Sequence, residues 1–341
     1  MAAGRDLASL PKAHLHLHFT GSMRAGTVVD LAERHGVRLP ASLRQPGEVR
    51  LTPDQRGWFR FQRLYEAARA VVRDAQDMRR IVLEAARDDA AEGSGWLEIQ
   101  VDPTSYAPFV GGLTPALEIV LDAAREASAT GGTQVAVVVA ASRTRHPLDA
   151  RTLARLAVRY AGTTAGTVVG FGLSNDERRG WTADFAGAFD IARRGGLACV
   201  PHSGELLGPE HVRHTLRYLR PDRIGHGVRS AEDRDVLDQV VAAGVALEVC
   251  PGSNVSLGVY PALGDVPLGT LIGAGARIAL GADDPLLFGS RLVDQYAAAR
   301  DQGLDDACLA ELARGSVLAS RAPQEVRSRL LAGVDAWALG A

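Results

Sequence analysis

The sequence predicts an α/β fold, a (β/α)8 TIM barrel, and three observations predict it. Eight short apolar runs recur along the chain, helical patterns that often stop at glycine separate them, and histidines and acids cluster where several runs end. Near-continuous apolar strands belong to a sheet buried on both faces. Their alternation with helices argues for parallel strands closed into a barrel.

The first run is "HLHLHF" (14–19). Surplus chain follows it. A plain barrel needs roughly 250 residues, the chain has 341, and residues 20–94 precede the second run, "WLEIQV" (96–101). This segment contains helix-like stretches, "FRFQRLYEAARAVV" (59–72) and "DMRRIVLEAARDDAAEG" (77–93). An insertion at 20–94 is expected to lie at the barrel mouth as a helical lid. The remaining runs are "QVAVVVA" (134–140), "TVVGFGL" (167–173), "LACVPHS" (197–203), "RIGHG" (223–227), "VALEVC" (245–250) and "RIALGA" (277–282). Between them, "DARTLARLAVRYAG" (149–162) and "SAEDRDVLDQVVAAG" (230–244) read as helices. Ser230 with Asp233 suits a capping-box start, and Gly244 suits a stop. The tail reads as closing helices. With no linker, tandem repeat or low-complexity tract, residues 1–341 are expected to form a single domain. A doubly wound sheet is the structural alternative, disfavoured by the count of eight strands and the lack of a GxGxxG turn.

A formal net charge of −2 gives no electrostatic case for nucleic acid or an anionic membrane. No apolar run approaches the ~18 residues that suggest a membrane span. The N-terminus has no apolar core of a secretory signal. The three cysteines, Cys199, Cys250 and Cys308, are far apart and odd in number, so they suggest neither a metal knuckle nor a disulfide framework. These features point to a reduced, cytoplasmic compartment and a small-molecule substrate.

His16 and His18 are two apart on the first strand, so both side chains face the same way, into the barrel near its C-terminal end. Two neutral imidazoles there can both ligate a metal. A buried histidine bonded to backbone is the plainer reading of either one alone, and His14, one step deeper, is expected to pack or support. His202 ends the fifth strand in "HSGE", with Glu205 three residues on across a Ser-Gly turn. His226 ends the sixth between two glycines, which allow close approach of backbone to a ligand. Asp283 and Asp284 follow the eighth. Each motif alone is weak, but all fall at strand C-terminal ends, where barrel enzymes place their chemistry. His16, His18, His202 and Asp283 form a three-nitrogen, one-carboxylate set that suits Zn2+, with Fe2+, Co2+ or Mn2+ also fitting. A metal there lowers the pKa of water toward ~7, so metal-assisted hydrolysis is expected.

"PKAHLHLHFTGS", "HSGE", "RIGHG", "LEVCPGSN" and "DDPLLF" resemble, in order and spacing, the motifs of the adenosine deaminase family of metal-dependent amidohydrolases. The resemblance implies a barrel with one zinc and hydrolytic deamination of a 6-aminopurine nucleoside. It matches His16, His18, His202 and Asp283 to the metal ligands. It matches Glu205 to the acid that protonates purine N1, His226 to the histidine that orients and deprotonates the water, and Asp284 to the carboxyl that meets N7. Three positions depart from the family pattern. Thr20 stands where an acid usually holds the ribose 5′-hydroxyl. Asn175, in "LSNDE" (173–177), stands where a glycine N–H meets N3. Gln100 replaces the arginine of a Glu-x-Arg pattern.

Thr20 removes the contact that selects a free 5′-hydroxyl. The resemblance therefore implies the aminodeoxyfutalosine deaminase branch, which serves menaquinone biosynthesis, with adenosine or 2′-deoxyadenosine as the alternative substrate. Arg56, Arg60 and Arg63 of the insertion are expected to meet an anionic 5′ extension. Competing readings are a barrel metallohydrolase of esters or cyclic amides and a nucleoside-binding protein without turnover. "HSGE" with "DDP" argues against the first, and Glu205 together with His226 against the second.

Overall fold

A computed structural model describes residues 4–44 and 55–340. Among them, eight strands run parallel in the order of the sequence: β1 Lys12–His18, β2 Ser94–Val101, β3 Gln134–Ser142, β4 Val168–Ser174, β5 Ala198–Ser203, β6 Arg223–His226, β7 Ala246–Val249 and β8 Ile278–Leu280. The ring closes where β1 meets the end of β8. The His18 N–H donates to Asp283 O and the Asp283 N–H to His16 O, both at 3.0 Å. This is the predicted (β/α)8 barrel, and all eight runs lie within two residues of their strands. The eighth strand is the shortest, and just beyond it a Cβ on Gly281 would come within 2.6 Å of His16 Cβ.

β3, QVAVVVAAS, is apolar on both faces and buried from its second residue onward, whereas β1, KAHLHLH, buries Lys12, His14 and His16 along one face. The helices follow local rules. Ala75–Ala91 starts on a capping box of Asp74 and Asp77. Pro147–Arg159 has Pro147 at N1 and the His146 ring accepting the Leu148 N–H. The helix expected from Ser230 begins instead at Arg234, with Asp233 as its N-cap. Ser230 lies in a preceding 3-10 turn, where its hydroxyl donates to Gly227 O. Asp233 wins because it is the residue whose carboxylate reaches the Val236 N–H.

The chain between β1 and β2 forms helices Ala25–His35, Ala41–Arg44, Gln55–Arg69 and Ala75–Ala91. The last packs against β2 and the helix Leu113–Ala129 as an ordinary barrel helix. Gln55–Arg69 is tied down at the C-terminal end of the barrel, where Phe61 stacks on Phe288 with centroids 5.5 Å apart. No described helix is long and apolar enough to cross a membrane.

Candidate active site

The ends of β1, β5, β6 and β8 bring His16, His18, His202, His226, Glu205, Asp283 and Asp284 into one buried cluster. His18 Nε2 lies 3.2 Å from both His202 Nε2 and Asp283 Oδ1. His16 Nε2 lies 3.6 Å from the same carboxylate oxygen. His226 Nε2 is 3.5 Å from Glu205 Oε1 and 3.9 Å from Asp283 Oδ2. Thr20 and Asn175, the other two residues expected to meet substrate besides Asp284 and the insertion arginines, lie on the adjoining pocket wall.

Two glycines make room for this crowding. A Cβ on Gly225 would come within 2.9 Å of His16 Cε1 and 3.1 Å of His202 Cγ. One on Gly21 would sit 1.8 Å from Asp284 Oδ1, so the turn after β1 must be glycine if that carboxyl is to face the pocket. Asn175, His226 and Asp283 all hold positive φ, 78°, 62° and 62°. Left-handed backbone at non-glycine residues costs of order 1–2 kcal/mol each and clusters where function requires it. Asn175 tolerates the conformation that a glycine would adopt there, which accounts for this departure from the family pattern.

The donor set fits a divalent cation. Glu248 Oε2 accepts the His16 Nδ1–H at 2.8 Å, which turns Nε2 of His16 toward the cluster, where it makes no hydrogen bond among the described residues. A carboxylate behind a histidine is a common support for a metal ligand. Burial lowers the pKa of His16, but Asp283 and Glu248 outweigh it and raise it to about 10. The carboxylates thus draw positive charge to that spot. Burial also disfavours ionised Asp283, yet its contacts with His16 and His18 hold it well below the usual carboxylate range. The ligand atoms of His16, His18 and Asp283 lie within 4.8 Å of one another, as do those of His16, His202 and His226.

Glu205 behaves oppositely. Burial first, then the charges of Asp283 and Glu177, push its pKa well above the normal value, which favours the protonated acid. Asp284 is raised by burial and by Asp283. His226 is lowered to about 4, chiefly by burial, and is neutral. The Asn254 amide nitrogen lies 3.5 Å from its Nδ1, and its Nε2 faces Glu205 and Asp283.

Two connected spaces adjoin the cluster. One, above the histidines, is walled by Trp58, Phe61, Tyr65, Leu257, Glu205 and Asp284. The other is a polar chamber between β1, β2 and β3 lined by Thr20, Arg69, Gln100, Asp102, Tyr106 and Ser142, and Asn175 borders both. The Thr20 hydroxyl pairs with Tyr106 OH at 2.5 Å. Gln100 is 1% exposed, and neither its amide oxygen nor its nitrogen has a partner among the described residues.

The arginines expected to face the pocket do not. Arg56, Arg60 and Arg63 are exposed. Trp58, Phe61, Tyr65 and Arg69 share one face of the helix at i, i+3, i+7 and i+11, and the other three lie on the opposite face. Arg69 is the arginine of this helix that reaches the chamber, which Arg145 also lines; it lies beside the Tyr65 ring at 4.8 Å and Glu66 Oε1 at 2.7 Å.

Several site residues were not singled out from the sequence. Glu248 stands as the one acid in the apolar run "VALEVC", and a buried acid there is a usable signal. Arg69 could have been found from the face set by Trp58, Phe61 and Tyr65. His14, which the sequence marked as a packing or supporting residue, lies behind the site: its Nδ1 pairs with Asp89 at 3.0 Å and its Nε2 accepts the Ala282 N–H at 3.1 Å. Glu177 is buried against the "HSGE" turn. Burial disfavours its charge, but His211 and backbone N–H groups bring its pKa down to about 2. Its contribution to stability is therefore complete above its unfolded value of 4.5 and is lost as pH falls through about 2. That is on the order of 3 kcal/mol. Thermal melts between pH 5 and 2 are expected to show this loss, with a shallower slope in Glu177→Gln.

The adenosine deaminase family model matches residues 11–337. A Streptomyces virginiae protein provisionally named adenosine/adenine deaminase is 59% identical, with 100% of both chains covered. An adenine deaminase of Agrobacterium fabrum is 34% identical over 95% of this chain and 97% of that protein. The crystal structure of an adenine deaminase from Arthrobacter aurescens superposes with a TM-score of 0.88 at 29% identity, covering 97% of this chain and 99% of that one.

Proposed function

The chain belongs to the adenosine deaminase family, and on that premise we propose that it hydrolytically removes the 6-amino group of an adenine nucleoside elongated at C5′, with 6-aminodeoxyfutalosine the leading candidate. His16, His18, His202 and Asp283 would hold one divalent metal, Zn2+ being the best match to three imidazoles and a carboxylate. When bound, that metal supplies the Lewis acidity that makes water a nucleophile at neutral pH. The other steps fall to side chains. Glu205 enters protonated and gives its proton to N1, which draws electron density away from C6 and opens that carbon to attack. Neutral His226 orients the attacking water and takes up its proton. Asp284, whose protonated form burial favours, donates to N7. Ammonia departs from C6 with the proton that His226 took up, and the hydroxyl proton returns to Glu205 as the 6-oxo group forms.

The observation that carries the substrate reading is the polar chamber. A free purine would occupy the space above the histidines and leave the chamber idle, with the Gln100 amide buried and unsatisfied. A hydroxyl-bearing arm on N9 gives that amide both a donor and an acceptor. Thr20 is neutral and already paired with Tyr106, so it presents no charge to repel a carboxylate at the end of the arm. Arg69 supplies a cation on the chamber wall. The alternative is adenosine or 2′-deoxyadenosine; the name of the Streptomyces relative supports adenosine and equally adenine.

The test is ammonia release from adenine, adenosine, 2′-deoxyadenosine and 6-aminodeoxyfutalosine. The highest kcat/KM is expected for 6-aminodeoxyfutalosine, and Thr20→Asp should shift preference toward adenosine. Equal or better turnover of adenosine would overturn the extended-arm reading. Best turnover of free adenine would remove the chamber from substrate binding altogether.

A further inference from the structure

Glu177 lies on the loop after β4, in the stretch "LSNDE", and its carboxylate points across the barrel mouth to the loop after β5. It is 1% exposed. Four successive backbone N–H groups donate to it: Gly204 at 2.5 Å on Oε1, and Glu205 at 3.1 Å, Leu206 at 2.6 Å and Leu207 at 2.8 Å on Oε2. His211 Nδ1 approaches Oε1 at 2.6 Å. The far nitrogen of that ring lies 3.0 Å from Thr182 Oγ1. These four donors precede the helix Pro209–Leu219, whose N-cap is Gly208, so they are not helix-end groups awaiting a cap. They belong to a turn that begins with Gly204 at φ +68° and has no strand or helix to satisfy it.

We infer that Glu177 is a positioning residue for Glu205: its carboxylate gathers the N–H groups of residues 204–207 and so fixes the direction in which the Glu205 side chain enters the pocket. A concave array of backbone N–H groups closing on one anion is a rigid arrangement. The N–H of Glu205 itself is one of the four, so the backbone of the proton donor is held directly. Without the anion, four buried donors would be left to find other partners, and the turn would have to move to supply them. Movement of about 1 Å at a proton donor costs ~10²-fold in rate. Glutamine at 177 has the same shape, but its NH2 group would face N–H donors, so about half of the cradle becomes repulsive.

The inference rests on the reading of Glu205 as proton donor, and the test separates the two. A double-mutant cycle on Glu177→Gln and Glu205→Gln is measured on adenosine and on 6-aminodeoxyfutalosine, with bound metal and thermal unfolding followed in each variant. Glu177→Gln alone is expected to lower kcat about 10–100-fold while the affinity for the deaminated product and the metal content stay unchanged. In the Glu205→Gln background the same change should cost less than about 3-fold, because a residue that acts through another has little to lose once the other is gone. An equal loss in both backgrounds, or no loss in the first, would overturn the role of Glu177 and leave that of Glu205 standing. Near-normal kcat in Glu205→Gln alone would instead sink the proton-donor reading. If Glu177→Gln does not fold, Glu177→Asp replaces it in the cycle. Aspartate keeps the charge and shortens the reach, and the same non-additive pattern, with a smaller first loss, is expected.

Discussion

Glu205→Gln is expected to lose ~10²–10⁴-fold in kcat while it still binds the metal and the substrate. The side chain is 4% exposed and sits 3.5 Å from His226 Nε2. Burial and the neighbouring charges of Asp283 and Glu177 raise its pKa, the direction that suits a general acid. Glutamine keeps the shape and one N–H donor, so ground-state binding survives. It has no proton to give to N1, so C6 is not activated. The variant should therefore show a lowered kcat with little change in KM. A kcat within about 3-fold of the parent would remove Glu205 from the mechanism.

His202→Ala is expected to be more damaging still, with both the bound metal and measurable deamination lost. Three imidazoles and Asp283 crowd one point at the closure of the barrel, and His18 Nε2 is 3.2 Å from His202 Nε2. Two imidazole nitrogens with their lone pairs turned to the same spot are unfavourable unless a proton or a cation lies between them. Metal analysis of the parent should give one divalent ion per chain. The alanine variant should give far less, while its circular dichroism remains that of the parent, because the ring packs among other site residues rather than in the apolar core. Retention of stoichiometric metal in the variant would show that the ion is held elsewhere.

Much of this was legible in the sequence for a simple reason. In a parallel barrel the strands are buried on both faces, so they stand out as apolar runs, and the side chains at their ends are constrained to one rim. His16, His18, His202, His226 and Asp283 could be placed together without knowing any long-range contact. Contacts between loops were another matter. Nothing local ties Glu177 to the N–H groups of residues 204–207, which come from a different βα connection. The phase of the helix Gln55–Arg69 against the barrel was equally hidden. Arginines 56, 60 and 63 looked suitable because they were numerous, yet the buried aromatics on that helix set its inward face and select Arg69. Gln100 was visible only as a departure from the family pattern. Its meaning depends on the absence of a partner for a buried amide, which a sequence does not display.

The account stands or falls on ammonia release from a 6-aminopurine nucleoside by the purified chain. Protein stripped of metal should release none from 6-aminodeoxyfutalosine or adenosine. Activity should rise as Zn2+ is added back and level off at one ion per chain, with the product carrying a 6-oxo ring. Ammonia release by metal-free protein, or none from any adenine nucleoside at saturating metal, would contradict it.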